Sequence, residues 1–217
     1  HGPDGLRRIA LRAHLMARTL AAAVVPEYPA FFDTLTFRLD AAAVRRRAAE
    51  KRVNLRYLDD TRVGITLDET TMLDDVADLA WVLTGVPFEA VARARELAAQ
   101  PGAIPPALQR ADEILAHPVF HACRSETAMM RYLKRLESRD YSLAQGMIPL
   151  GSCTMKLNAA AEMAPISWPE FANLHPFVPR EQAAGYHAML ADVAAALAAI
   201  TGLPHMTLQP NSGANGE

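Results

Sequence analysis

The stretch Pro101-Gly102-Ala103-Ile104-Pro105-Pro106 constrains the fold more than any other, because three prolines and a glycine in six residues cannot continue a helix or a strand. It marks a proline-rich linker over 101–106 between a small domain over 1–100 and a second segment over 107–217. With 51% hydrophobic and 21% charged residues among 217, the chain is too apolar for disorder and is expected to build a core. The formal net charge is −2 and no basic stripe is present, which argues against electrostatic capture of nucleic acid or of an anionic membrane. No window holds 18 uninterrupted apolar residues, and His1-Gly2-Pro3-Asp4-Gly5 lacks the basic-then-apolar order of a signal peptide. A soluble protein without an export signal is expected. Cys123 and Cys153 alone are too few and too isolated for a disulfide scaffold or a structural zinc site, so a reducing compartment and no metal are expected.

Before the linker, Leu6, Ile9, Ala13, Met16, Leu20 and Val24 recur at steps of three and four, which predicts an amphipathic helix over 4–25, ended by Pro26 and Pro29. Residues 34–39 alternate as a half-buried strand does, and 41–52 returns to helical composition. Strand-like runs at 55–58 and 62–67 flank Asp59-Asp60-Thr61, a short hairpin turn. Thr71-Met72-Leu73-Asp74 has the form of a capping box opening a helix that Gly85 would close. The first hundred residues therefore read as a small α+β domain, a three-stranded sheet with helices on one face.

Beyond the linker, helices are predicted over 125–139 and over the alanine-rich 180–201, the latter closed by Gly202. Residues 140–179 lie between them without periodicity and hold Pro149, Pro165, Pro169, Pro176 and Pro179. Such a stretch is usually functional or packed on another part of an assembly. The chain opens without methionine and stops at Asn215-Gly216-Glu217, inside what reads as a ligand loop, so a piece of a longer protein is expected.

Two segments could carry chemistry. Met206-Thr207-Leu208-Gln209 reads as a short strand, and Asn211, Ser212, Gly213, Ala214 and Asn215 follow it with small side chains that would let backbone N–H groups approach a phosphate at a helix start. An ordinary strand-to-helix connection has the same pattern. The second segment is Gly151-Ser152-Cys153-Thr154-Met155-Lys156-Leu157-Asn158. Here Lys156 could form a Schiff base if desolvated and Cys153 could act as a nucleophile, although a solvated lysine and a small buried cysteine are the commoner roles. Lysine occurs elsewhere only at Lys51 and Lys134. His117 and His121 lack a carboxylate at zinc-like spacing, and His175 in its proline-rich loop suits a backbone hydrogen bond. Arg45-Arg46-Arg47 lies on consecutive helix positions that point in different directions, which favours a solvated face over a nucleic-acid site.

Read together, the stretch Met147 to Asn158, Trp168-Pro169-Glu170-Phe171, His175-Pro176-Phe177, Glu181 to Tyr186 and Leu208 to Ala214 resembles the glycine cleavage system P-protein family, in family order. Gly2 to Arg7, Phe31-Phe32-Asp33-Thr34 and Gly64 to Thr70 resemble the end of that family's first half. The resemblance implies a chain straddling two similar halves. Residues 1–100 would close the first half, and 107–217 would be the mostly helical, loop-rich opening segment of an aspartate-aminotransferase-like (type I) fold that binds pyridoxal 5′-phosphate.

It further implies glycine dehydrogenase (decarboxylating) activity in the full-length parent. Glycine releases CO2 and its aminomethyl group passes to the lipoyl arm of the H-protein, in the cytoplasm of a bacterium or the mitochondrion of a eukaryote. A homodimer of a two-half chain is implied, with no nucleic-acid or membrane partner. The family's Schiff-base lysine follows a histidine that has no counterpart within 1–217, so Lys156 is not matched to it, and the chain alone is expected to be inactive with no covalently bound cofactor. Ser152, Cys153, Thr154, Lys156 and Asn158 become candidates for the rim of the active site, while Asn211, Ser212, Gly213, Ala214 and Asn215 match the phosphate-side loop, with Asn215 where the family usually has glutamine. Arg124 stands where a histidine is common and receives no role. Apart from the resemblance, the same residues also allow a non-catalytic α+β ligand-binding or interaction module with a helical extension.

Overall fold

The computed structural model describes residues 1–139, 146 and 159–216. The chain divides into two compact units, His1–Arg139 and Asp140–Glu217.

In the first unit, α1 (Gly2–Ala21) precedes β1 (Thr34–Arg38), α2 (Ala41–Glu50), β2 (Arg56–Asp59), β3 (Arg62–Thr66), α3 (Leu73–Thr84) and α4 (Ala90–Ala98). The strands form one antiparallel sheet in the order β1-β3-β2, with Phe37 opposite Val63 and Leu35 opposite Ile65. Those four side chains share the buried face and join Met16, Leu20, Val44, Val76 and Leu83 in one core. Phe37 and Val63 are wholly inaccessible to solvent. Period-two alternation in the strands and steps of three and four in the helices thus meet in a single apolar layer. The apolar stripe predicted for α1 is buried only in its second half: Ala13, Met16 and Leu20 are in the core, whereas Leu6 is exposed. The helix stops at Ala21, ahead of both prolines, and Val24 still packs against the core from the loop beyond.

Local side chains set the element ends. Asp40 caps α2 by accepting from the Ala42 and Ala43 N–H groups at 2.9 and 3.2 Å. In the hairpin turn, Asp59 accepts from the Thr61 N–H at 2.8 Å and from Arg62 Nε at 2.7 Å. The box that opens α3 sits one residue later than the sequence suggests, with the Met72 N–H donating to Asp75 Oδ2 at 2.8 Å. Thr71 is drawn out of the box because its hydroxyl accepts from the Asp68 N–H at 3.1 Å. Gly85 closes α3 with φ of 77°, in the left-handed region where glycine is least strained.

Still in the first unit, α5 (Val119–Ala122) is a single turn, and α6 (Glu126–Glu137) starts at Ser125, whose Oγ accepts from the Ala128 N–H at 3.2 Å. α6 leaves Met129, Met130, Leu133 and Leu136 exposed.

The second unit contains α7 (Ala160–Met163), α8 (Pro169–Ala172), α9 (Ala184–Thr201) and α10 (Gly213–Gly216). Its described part corrects the expectation of a long irregular stretch over 140–179, since a 3-10 turn at Ala164–Ser167 joins the short helices α7 and α8, and the helix expected from 180 begins only at Ala184, after a 3-10 turn at Arg180–Gln182. Prolines mark the beginnings of these turns, where their fixed φ is useful and no N–H is lost. A second correction concerns 206–209, which are not a strand. A strand needs a neighbour to satisfy its backbone, and no other described residue of this unit is extended into a sheet. α9 ends at Gly202 with φ of 74°. Its mean hydropathy of 1.3 over 18 residues would by length and composition allow it to cross a membrane, although Asp192 lies at its middle.

Candidate functional site

In the second unit a groove of about 380 Å³ opens beside the start of α9, lined among others by His175, Pro176, Arg180, Tyr186 and His187. The backbone around it is held from within. His175 Nδ1 accepts from the Phe177 N–H at 3.0 Å, the backbone role its loop suggests, and the Tyr186 hydroxyl donates to the Phe171 carbonyl at 2.9 Å. Phe171 also meets the Tyr186 ring edge-on at 5.7 Å and Trp168 at 6.3 Å. Three of the motifs quoted above, around Trp168, His175 and Tyr186, therefore share one patch of structure. The groove wall carries two imidazoles, a guanidinium and a phenol beside the apolar Leu174, Val178 and Leu190, and no carboxylate. Arg180 and His187 were not singled out by sequence reasoning, since neither belongs to a spacing that signals chemistry by itself.

The loop proposed for a phosphate begins at Asn211 and runs into the single turn α10. Ser212 Oγ donates to Asn215 Oδ1 at 3.2 Å, and the Asn215 N–H reaches the Ser212 carbonyl at 3.1 Å. Asn211, Ser212, Ala214 and Asn215 are exposed. Residues 211–216 bear no charged side chain, so the available groups are backbone N–H, one hydroxyl and two amides. Backbone N–H groups, a hydroxyl and amides can all donate to an anion such as a phosphate. Ser152, Cys153, Thr154, Lys156 and Asn158 lie outside the described residues.

The remaining candidates resolve into structural roles. The three consecutive arginines of α2 do diverge. Arg45 lies 3.8 Å from the centroid of the Tyr57 ring, Arg46 is exposed, and Arg47 turns to the end of α3. There its Nε and Nη2 donate to the Val82 and Leu83 carbonyls at 2.6 and 2.8 Å, satisfying two groups that the helix leaves open. Burial raises the Tyr57 pKa, and the neighbouring Arg45 guanidinium opposes that shift. Lys51 donates to Asp78 at 2.6 Å and Lys134 to Glu137 at 2.8 Å. His117 Nδ1 accepts from the Val119 N–H at 3.2 Å, and His121 Nε2 pairs with the Leu115 carbonyl at 3.1 Å. Among the described residues, no three His, Cys, Asp or Glu side chains gather in a way that could hold a metal ion. Sequence reasoning missed His14, which is only 4% exposed. Its place beside Ala13 on the apolar stripe was the available signal, because an imidazole there must find partners.

Comparison with known proteins adds a family to this geometry. Residues 1–83 match the family model described as Glycine cleavage system P-protein. Along its whole length the chain is 50% identical to glycine dehydrogenase (decarboxylating) of Thermosynechococcus vestitus, of which it covers 23%. It is 51% identical over its whole length to the protein of the same name from Photorhabdus laumondii, covering 24% of it. The relative in Vibrio campbellii is 50% identical with 23% covered. The chain thus spans about a quarter of the length of the curated relatives it matches. With its residues 1–83 matching the family model and about 50% identity to these relatives over its whole length, the chain belongs to the glycine cleavage system P-protein family.

Proposed function

We propose that this chain is the junction of a pyridoxal-phosphate-dependent glycine dehydrogenase (decarboxylating), in which residues 1–100 close one half and 107–217 open a second half of the type I fold. The observation that carries this reading is the identity of about 50% over the whole chain to relatives bearing that name. The alignment to these enzymes runs the full chain, through the helical extension as well as the α+β domain, which favours this reading over a non-catalytic ligand-binding or interaction module with a helical extension.

In the whole protein, glycine loses its carboxylate as CO2 and the aminomethyl group passes to the lipoyl arm of the H-protein. The cofactor supplies the electron sink for that cleavage. The role of this chain is to hold and orient. Backbone N–H groups over 211–215 would bind the phosphate, with Gly213 and Ala214 keeping the approach open and Ser212 Oγ turning from Asn215 toward the anion. The segment with Ser152, Cys153, Thr154, Lys156 and Asn158 would form the rim on the substrate side. A cytoplasmic homodimer completes the proposal, and the chain alone would be inactive because the covalent anchor of the cofactor lies on other residues.

The test uses the full-length protein that contains this chain. CO2 release from carboxyl-labelled glycine should require both pyridoxal phosphate and lipoylated H-protein. Gly213→Val should weaken cofactor retention at least about tenfold, more than 1.4 kcal/mol, while the melting temperature without cofactor changes little. A full-length protein that binds no pyridoxal phosphate and releases no CO2 would overturn the reading. Unchanged retention in a folded Gly213→Val protein would move the phosphate site elsewhere.

A further inference from the structure

The proline-rich connection lies against α1. Three α1 side chains hold the backbone of 100–112 in antiparallel order. Arg18 Nη1 donates to the Gln100 carbonyl at 3.3 Å, His14 Nε2 accepts from the Ala103 N–H at 3.1 Å, and Arg7 Nη2 donates to the Asp112 carbonyl at 3.4 Å. Positions 7, 14 and 18 fall on one face of a helix, so a single edge of α1 reads successive backbone groups of the connection.

The central contact is the strongest because it is buried and two-sided. His14 Nδ1 lies 2.7 Å from the Phe32 carbonyl, and the imidazole stacks on the Phe32 ring with centroids 5.6 Å apart and planes 3° from parallel. A carbonyl at one nitrogen and an N–H at the other assign one neutral tautomer, with the proton on Nδ1 and the lone pair of Nε2 facing Ala103. The approach is close: a Cβ on Gly102 would sit 3.0 Å from His14 Nε2 and 3.4 Å from its Cδ2. The absence of a side chain at Gly102 therefore gives the room that this contact with the imidazole uses.

We infer that 100–112 is a rigid strap whose seat on α1 is set by His14, so the small α+β domain hands the chain onward through a fixed strut. His14 is a positioning residue: it ties the strand entry at Phe32, the helix α1 and the connection to one another through a single ring. The proline content that marks a linker in the sequence also serves stiffness, since prolines 105 and 106 restrict the segment that His14 anchors.

Amide hydrogen exchange on the full chain tests the strap. In the wild type, Ala103 should exchange at least about tenfold more slowly than an open loop amide. His14→Phe keeps the ring stack and removes both hydrogen bonds. It should abolish that protection and admit protease within 100–112, while the amides of β3 keep their rates. His14→Gln, which retains an acceptor, should restore part of the protection at Ala103. Should His14→Phe instead lower protection everywhere, Gly102→Val decides, because it displaces the strap from its own side without touching the core; it must release Ala103 and leave β3 protected. Loop-like exchange of Ala103 in the wild type, or unchanged exchange in folded Gly102→Val, would overturn the inference.

Discussion

Asp59 shows how one exposed side chain can fix a turn. The Thr61 backbone N–H is the first cause that lowers its pKa, from 3.8 to about 2, followed by the bonds from Arg62 and the Thr61 hydroxyl. Asp68 is lowered in the same way, chiefly by the Thr70 hydroxyl. Because the folded pKa lies below the unfolded one, the ionised carboxylate favours the fold above about pH 4, and this contribution fades as the pH falls from 3.8 toward about 2. Asp59→Asn should therefore lower the melting temperature at pH 7 and lose its effect near pH 2. A midpoint difference of the same size at both pH values would show that the amide differs from the carboxylate for some reason other than charge.

At the scale of elements, the sheet is held by one face. Phe37 is fully buried opposite Val63, whereas Thr34 on the outer face is exposed and meets Thr66 through hydroxyls 3.1 Å apart. Phe37→Ala should cost about 3–5 kcal/mol in denaturant unfolding, the range for removing a buried aromatic ring. Thr34→Ala should cost under about 1 kcal/mol, as for an exposed cross-strand pair. Comparable losses from the two would mean that the core is not where the alternation puts it. The three strands were legible because period two is decisive when the strand Thr34–Arg38 alternates threonine or arginine with Leu35 and Phe37. Helix α4 was missed, because the two turns of spacing between Ala90, Ala94 and Leu97 are weak beside the arginines and glutamates around them. The turns at 160–172 were unreadable for another reason: elements of four residues carry too few positions for a period, and their prolines look like breakers until seen at first helical positions. At the candidate site, the glycine-rich loop was visible as composition, but the gathering of Arg180 and His187 with His175 depends on how the chain folds back before α9.

Across the whole molecule, the two units differ in what they complete. The first encloses its own core. In the second, α9 has no buried residue and exposes Met189, Val193 and Ile200, although an apolar helix ordinarily needs partners around it. The relatives are about four times as long as the chain, and under the proposed function the catalytic centre draws on residues beyond these. The lysines sharpen this point. Lys51 is engaged by Asp78 and lies 5.5 Å from the Trp81 ring centroid, and Lys134 is engaged by Glu137. Lys156 lies outside the described residues. A lysine that anchors a carbonyl cofactor must instead offer a free amine in a desolvated pocket. Incubation of the chain with pyridoxal phosphate followed by borohydride reduction should therefore leave less than one cofactor per chain, spread over several amines, when peptides are mapped by mass spectrometry. A one-to-one adduct confined to Lys156 would assign the anchoring role to this segment and require the proposed division of labour between this chain and the rest of the protein to be redrawn.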